Sequence, residues 1–297
     1  MASISSEERK LFCFGLGYTA CRLAEMLIGD GWRIAGTTRD RGKADALRSL
    51  GMDVSVTSAD GIEPNLTEAL HGTSHVLVSV PPGQQGDPVA RHYGADIAAA
   101  ANLRWLGYLS STAVYGDRGG AWVDETTPPA PSGDVGRRRL GAENSWLELQ
   151  RTRGVPVHIF RLAGIYGPGR SALDRVRLGT ARRIVKPGHV LSRIHVDDIA
   201  AILMASMARP RAGAIYNVCD DRPASGAEVT AYAAELLGAM SPPEIPFDST
   251  EVSPEARRFF ADHRRVRNDV IKSELGVSLR YPDYEVGLRA LATDTGG

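Results

Sequence analysis

The pattern with the clearest chemical meaning in this sequence is Gly15-x-Gly17-x-x-Ala20, which lies between a short apolar run, Leu11–Phe14, and a helical stretch. In a strand–turn–helix of this kind the first glycine permits the tight turn, the second lets a pyrophosphate approach the backbone, and the small third residue allows close packing. The N–H groups and the dipole at the helix start then favour phosphate charge. The pattern predicts a dinucleotide site, and a plain glycine-rich turn is the alternative. In the dinucleotide site, the residues expected to contact the cofactor are Gly15, Gly17, Tyr18, Thr19 and Ala20.

The end of the second predicted strand indicates which dinucleotide binds. A site that takes NAD often has Asp or Glu about 20 residues after the glycines, where it bonds the ribose hydroxyls. Here that place reads Gly36-Thr37-Thr38-Arg39. A guanidinium at Arg39, next to Thr38, suits the 2′-phosphate of NADP, and a solvated surface arginine is the alternative. Asp40 is expected to cap the next helix, so we predict NADP rather than NAD.

One carboxylate after the third predicted strand has two interpretations. Asp60 could accept a hydrogen bond from the adenine amino group of the dinucleotide, or it could cap the next turn. We include it among the expected cofactor contacts, with the capping role left open.

The elements that would position these residues alternate along the chain. Apolar runs at 11–14, 33–38, 53–57, 76–80, 105–110 and 157–161 predict strands, and patterns at 19–28 and 137–151 predict helices. Such alternation favours βαβ units and a parallel sheet covered on both faces. Ile215–Val218 could return one more strand.

The predicted fold class is α/β, a doubly wound parallel (Rossmann) sheet with a smaller, discontinuous C-terminal lobe. We assign 8–168 and 194–222 to the dinucleotide-binding domain. We assign 169–193 and 223–297, where Gly, Pro and Arg become frequent, to the small substrate-binding lobe.

The bulk composition excludes several classes of protein. Lys+Arg and Asp+Glu both number 35, so the formal charge is zero and nothing points to nucleic acid or a membrane surface as partner. No apolar run reaches the roughly 18 residues of a membrane span, and the first ten residues lack a signal-peptide core. Three cysteines make neither a disulfide framework nor a metal site. We expect a cytoplasmic protein without a metal.

Four later segments, following the phosphate loop in order, resemble the extended short-chain dehydrogenase/reductases, the NAD-dependent epimerase/dehydratase family. They are 109–117, 161–169, 193–200 and 215–218. The resemblance implies that Ser111 hydrogen-bonds the substrate oxygen at the reacting carbon, with Thr112 next to it. It implies a small-molecule substrate, with a nucleotide-sugar as one candidate, and it makes a homodimer one candidate assembly. Further cofactor contacts are then expected from Val80, Pro81, Ser110, Ala163 and Gly164, and substrate contacts from Tyr115, Tyr166 and Arg193.

One feature of that family is missing. Its redox members have a Tyr four residues before a Lys, because the ammonium lowers the pKa of the phenol enough for it to exchange a proton. The residues four before the only lysines (Lys10, Lys43, Lys186 and Lys272) are Ser6, Arg39, Arg182 and Asn268. Matching Pro131 and Glu143 to the family's flanking residues puts Val135 and Arg139 in the two positions. Arg139 could still bond the ribose and supply charge, so we count it among both catalytic and cofactor-binding candidates.

Three hypotheses about function follow. In the first, the protein is an NAD(P)-dependent enzyme that transfers a hydride on a nucleotide-sugar or another hydroxyl or carbonyl substrate, with Tyr115, Tyr166 or His92 as the acid/base. In the second, it binds NADP without turnover, as a redox sensor or regulatory protein. In the third, the fold serves assembly alone.

Overall fold

The computed structural model describes residues 9–58, 66–70 and 72–293. Asp60 lies outside these residues. The strands are β1 (Lys10–Phe14), β2 (Arg33–Thr38), β3 (Asp53–Val56), β4 (His75–Val78), β5 (Trp105–Ser111), β6 (Trp122–Val123), β7 (Val157–Leu162), β8 (Gly164–Tyr166), β9 (Arg183–Val185), β10 (Arg193–His195), β11 (Ile215–Val218), β12 (Glu244–Pro246) and β13 (Arg265–Val266). The helices are α1 (Tyr18–Gly29), α2 (Arg41–Ser49), α3 (Leu66–Leu70), α4 (Pro88–Ala99), α5 (Asp134–Arg153), α6 (Ala172–Arg177), α7 (Val196–Ala208), α8 (Gly226–Leu236), α9 (Pro254–Phe259), α10 (Asp269–Leu275) and α11 (Tyr284–Thr293).

Seven of the strands form one sheet in the order β11-β7-β5-β4-β1-β2-β3. The neighbouring pairs from β3 to β5 are all parallel, with Leu11 opposite both Ile34 and His75. Chain order runs outward from β1 through β2 and β3 on one side, and through β4, β5, β7 and β11 on the other. This is the doubly wound arrangement, so the predicted α/β Rossmann class is confirmed, and the strand predicted at Ile215–Val218 joins the sheet.

The central strands are apolar because both faces of the sheet are covered. All four residues of β4 and the first six of β5 are buried, which is typical of parallel strands under two helix layers. The strand predicted at 76–80 ends earlier, at Val78, because Ser79 turns toward the loop after β1 and its hydroxyl donates to Gly15 O at 2.8 Å.

Contacts divide the described chain into two compact units. The first holds the residues up to Ser111, with Arg137–Arg161 and Ala200–Tyr216. Its core packs aromatic and aliphatic side chains of the sheet, such as Phe12, Phe14 and Tyr108, against α4 and α5.

The second unit holds Thr112–Gly136, Leu162–Ile199 and the residues from Asn217 onward. Its small core packs α6, α8 and α11 through Leu173, Val229 and Leu288. It takes in 112–136, which we had assigned to the dinucleotide-binding domain, because β6 pairs with β13 and the N–H groups of Arg118 and Gly120 donate to His263 O. Our division concerned ligand-binding roles, and it stays a prediction.

None of the helices that the structure describes is long and apolar enough to cross a membrane.

Candidate functional site

Hydrogen bonds to neighbouring residues fix the loop after β1, and space remains beside its second glycine. Gly15 N donates to Thr37 Oγ1 at 2.9 Å, and Leu16 N donates to Thr37 O at 2.7 Å. Gly15 has φ +86°, and a Cβ there would lie 3.0 Å from Val80 Cγ2, so only glycine fits. A Cβ at Gly17 would find Ser79 Oγ at 3.7 Å as its nearest neighbour, so it would project into open space. That space is what a pyrophosphate at the start of α1 requires.

The other residues of the predicted loop lie in the first turn of α1. Thr19 and Ala20 are buried, and Ala20 has no exposed surface at all, as the close packing of this helix on the sheet requires. Gly17 is the N-cap residue, and no side chain caps the helix there.

A cavity of about 830 Å³ in the first unit contains this loop. Because β2 and β4 lie on opposite sides of β1, the cavity extends over both neighbours of the phosphate loop. Thr38, Arg39 and Lys43 line it on the β2 side, and Val80, Pro81, Gln84, Arg91 and His92 line it after β4. Its volume and lining fit a dinucleotide laid across the carboxyl ends of the strands.

The ribose end of the cavity carries cationic groups. Arg39 and Lys43 both line it, and Arg39 makes no hydrogen bond or ion pair with another described residue. Asp40 also lines it, but its Oδ1 accepts from Lys43 N at 3.0 Å, so the predicted cap of α2 is confirmed.

Ser111 ends β5, two strands along the sheet from the phosphate loop, and is half-buried. The hydroxyl of Ser110, one residue earlier, donates to Glu143 Oε1 at 2.5 Å. Glu143 pairs with Arg161 on β7 at 2.8 Å, and both side chains are at most 3% exposed. A buried ion pair between Glu143 and Arg161 therefore joins α5 to β7. The Ser110 hydroxyl at the end of β5 donates to the same glutamate. Its contact with the cofactor stays a prediction.

Arg139, which we match to the family's lysine, forms hydrogen bonds with β5. Its Nη1 donates to Leu109 O at 2.7 Å and to the Tyr108 hydroxyl at 3.2 Å. Its Nε and Nη2 make no hydrogen bond within 9–58, 66–70 and 72–293. Val135, in the tyrosine position, is 60% exposed and has no group that exchanges protons. That Val135 and Arg139 replace the family's tyrosine and lysine stays a prediction.

Two tyrosines that we predicted to contact substrate lie instead in the interior of the second unit. Tyr115 is fully buried, and its hydroxyl donates to Asn217 Oδ1 at 2.8 Å. Tyr166 is 8% exposed, its hydroxyl donates to Asp283 O at 3.3 Å, and burial raises its pKa. Both side chains are thus closed off from solvent and hydrogen-bonded within the second unit, and their contacts with a substrate stay predictions.

The other predicted residues of the second unit are fixed through their main chain or by main-chain acceptors. Arg193 Nη1 donates to Leu191 O at 2.9 Å and to Ala224 O at 2.7 Å, which joins two loops. Ala163 N donates to Val218 O and Gly164 N to Ser192 O. Thr112 is buried at the start of the turn after β5. Their contacts with ligands stay predictions.

Several cavity residues were not found from the sequence. Ser79, Gln84, Gln85 and Arg91 line the cavity, but polar residues in a loop carry no spacing that marks them as ligand contacts. The one local signal was Gly83-x-x-Gly86 before Pro88, which is typical of a turn followed by a helix start.

The fold and the phosphate loop define a Rossmann protein of the dinucleotide-binding type, and comparison with known proteins agrees. A family model described as the NAD dependent epimerase/dehydratase family matches residues 93–219. Protein YeeZ of Escherichia coli K12 is 30% identical over 288 residues, covering 93% of this chain and 97% of YeeZ.

Solved structures share the fold over nearly the whole chain. A functionally unknown conserved protein from Silicibacter pomeroyi DSS is 51% identical, with a TM-score of 0.88 over 97% of this chain and 99% of that one. UDP-glucuronic acid 4-epimerase from Bacillus cereus shares the fold at 16% identity, with a TM-score of 0.78 over 96% of this chain and 98% of that one. The chain belongs to the NAD-dependent epimerase/dehydratase family.

Proposed function

We propose that this protein is an NADP-dependent enzyme that moves a hydride between the nicotinamide and a carbon bearing oxygen in a nucleotide-sugar or a related hydroxyl or carbonyl substrate. The observation that carries the proposal is the single cavity that contains both the phosphate loop and the cationic pair Arg39 and Lys43. The resemblance to the family also leads us to propose a homodimer, and the composition leads us to propose a cytoplasmic location.

The residues of the chain have separate tasks in this proposal. The loop from Gly15 to Gly17 and the start of α1 bind the pyrophosphate, and Arg39 with Lys43 binds the 2′-phosphate. The free Nε and Nη2 of Arg139 donate to the nicotinamide ribose, while its Nη1 stays on Leu109 O. Ser111 donates to the substrate oxygen and so holds the reacting carbon in place. The bound dinucleotide supplies the hydride donor or acceptor.

The substrate class is proposed from relatives and from charge. The Bacillus cereus epimerase was solved with NAD and UDP-4-deoxy-4-fluoro-glucuronic acid. In this chain five arginines fall between residues 257 and 267, in the lobe that we assign to substrate. Guanidinium groups suit the phosphates of a nucleotide-sugar.

Titration with both dinucleotides tests the cofactor. We expect NADP⁺ to bind roughly 10- to 100-fold more tightly than NAD⁺, because a charged hydrogen bond to a phosphate contributes about 1.5–3 kcal/mol. Arg39→Gln should remove most of this preference by weakening NADP⁺ binding, with NAD⁺ affinity nearly unchanged. Arg41→Gln is the matched control, since Arg41 is exposed and does not line the cavity. Tighter binding of NAD⁺ by the wild type would contradict the proposal.

Turnover is tested with a panel of nucleotide-sugars and simple carbonyl compounds, followed at the absorbance band of reduced nicotinamide. Ser111→Ala should lower kcat roughly 100-fold or more, as does the loss of one donor to a developing oxyanion, with unchanged dinucleotide affinity. Ser145→Ala on α5, where the hydroxyl only bonds Gly141 O, should behave as the wild type. Equal turnover by Ser111→Ala and wild type would show that the serine is assigned wrongly.

A non-catalytic NADP sensor is the second candidate. The observation that favours it is that the sequence contains no Tyr-x-x-x-Lys; we place Val135 and Arg139 in the two positions. The same panel separates the two functions. Tight dinucleotide binding with no absorbance change for any substrate favours the sensor.

A further inference from the structure

One face of α4 forms part of the cavity that contains the phosphate loop. Pro88, Val89, Arg91 and His92 line it, and their i, i+3 and i+4 spacing puts them on one side of the helix. Asp87 fixes where the helix begins, because its Oδ1 accepts from Ala90 N at 2.9 Å. The face is therefore held in place from its first turn.

Arg91 and His92 differ in how they are held on this face. Gly83 and Gly86 bond each other across a tight turn, and the Gln85 side chain on that turn accepts from Arg91 Nη1 at 2.8 Å. His92 is exposed and forms no hydrogen bond or ion pair with any residue that the structure describes. Among the described residues on this wall of the cavity, His92 is therefore the titratable side chain that no hydrogen bond or ion pair holds in place.

The sheet order determines which half of a dinucleotide this wall faces. In a doubly wound sheet the two nucleotide halves lie on opposite sides of the point where strand order reverses, which here is between β1 and β4. Arg39 and Lys43 lie at the β2 side, where we place the adenosine ribose. The wall after β4, with His92, then faces the nicotinamide half.

Of the three side chains that we considered as acid/base, His92 is the one that lines this cavity. Tyr115 and Tyr166 belong to the second unit, where they are buried and their hydroxyls donate to Asn217 and Asp283. Imidazole exchanges protons near neutral pH, as catalysis of hydride transfer requires.

We propose that His92 faces the nicotinamide of the bound dinucleotide and takes the place of the missing Tyr-x-x-x-Lys pair as acid/base, an inference that rests on the proposed function. In the oxidising direction the substrate hydroxyl gives its proton to a neutral imidazole nitrogen. The carbon gives its hydride to the oxidised dinucleotide, so the C–H and O–H bonds break and the C=O bond forms. The reverse reaction returns the proton from the imidazolium.

The test uses binding, because oxidised nicotinamide carries a positive charge and reduced nicotinamide does not. A protonated His92 near that charge disfavours NADP⁺ relative to NADPH. We expect the ratio Kd(NADP⁺)/Kd(NADPH), measured by NADPH fluorescence and competition, to rise roughly three- to tenfold as the pH falls from about 8 to about 5.5, for unit charges about 6 Å apart. In His92→Gln, which has a similar size and no titrating ring, the ratio should not change with pH.

The ratio and the His92→Gln variant together separate the effect of His92 from that of other titrating groups. The 2′-phosphate is common to both forms and cancels in the ratio. Arg39, Asp40, Lys43 and Arg91 are the other charged groups that line the cavity with His92, and all of them are retained in His92→Gln. Asp96 lies one turn along α4, and burial raises the pKa of Asp87 at its start, but both carboxyls are retained in His92→Gln.

Each of the following outcomes either supports or overturns the role of His92. A pH-dependent ratio in the wild type that is lost in His92→Gln and kept in His263→Gln, a histidine of the second unit, supports the inference. Equal weakening of both forms in His92→Gln at low pH, with a flat ratio in the wild type, would mean that His92 contacts the pyrophosphate and overturns it. No binding of either dinucleotide to the wild type would overturn the proposed function and, with it, this inference.

Discussion

Glu143→Ala should lower the free energy of unfolding by about 3–5 kcal/mol, the range for breaking a buried ion pair by removing one partner. The Arg161 guanidinium would stay buried without its carboxylate, which it now contacts at 2.8 Å. The Ser110 hydroxyl would also lose its acceptor. The measurement is urea unfolding at pH 7, followed by circular dichroism.

Two further variants separate the ion pair from a general effect of mutating α5. Glu148→Ala removes the carboxylate of an exposed pair with Arg151 on the same helix, and we expect its unfolding curve to match the wild type. The double variant Glu143→Met/Arg161→Leu removes both buried charges and should recover most of the lost stability. A loss below about 1 kcal/mol in Glu143→Ala would show that the pair contributes little.

Acid should destabilise the folded protein through two buried histidines, His75 and His158. Burial lowers the pKa of each from 6.5 to about 4, so between these values the unfolded chain binds protons that the folded chain does not. Stability is therefore complete above about pH 6.5 and falls as the pH drops toward 4. Each histidine should contribute roughly 3 kcal/mol to this loss, since one unit of pKa corresponds to about 1.4 kcal/mol.

His158→Gln should remove about half of this pH dependence. His158 stacks on Trp105 and its Nε2 accepts from Arg211 N at 2.8 Å, and a glutamine oxygen can take over that hydrogen bond without titrating. Urea unfolding between pH 7 and pH 4 measures the slope. An unchanged slope in His158→Gln would refute this account.

The sheet could be predicted because its signals are local. The run at 11–14 is apolar along its length, and the middle of 33–38 is buried as a strand covered on both faces requires; the structure has β1 and β2 there with at most one added residue. The helix predicted at 137–151 extends to Asp134–Arg153, since the polar residues at both ends give no periodic signal.

The candidate site was predicted unevenly. Gly15 and Arg39 were found because one needs a positive φ and the other follows a strand at a known distance from the glycines, and both line the cavity. The burial of Tyr115 and Tyr166 could not be predicted, because it depends on residues far away in the chain, such as Asn217 and Asp283. The pairing of Glu143 with Arg161 likewise joins a helix to a strand that comes after it.

The sequence by itself determined the strand–turn–helix of the phosphate loop and the absence of any Tyr-x-x-x-Lys, because both are properties of neighbouring residues. Only the tertiary structure decided what surrounds that loop. It put His92 on the wall of the same cavity, enclosed the two tyrosines in the second unit, and used Arg139 to brace β5. These outcomes depend on which elements pack together, and packing is set by contacts between residues distant in the chain, which no local pattern encodes.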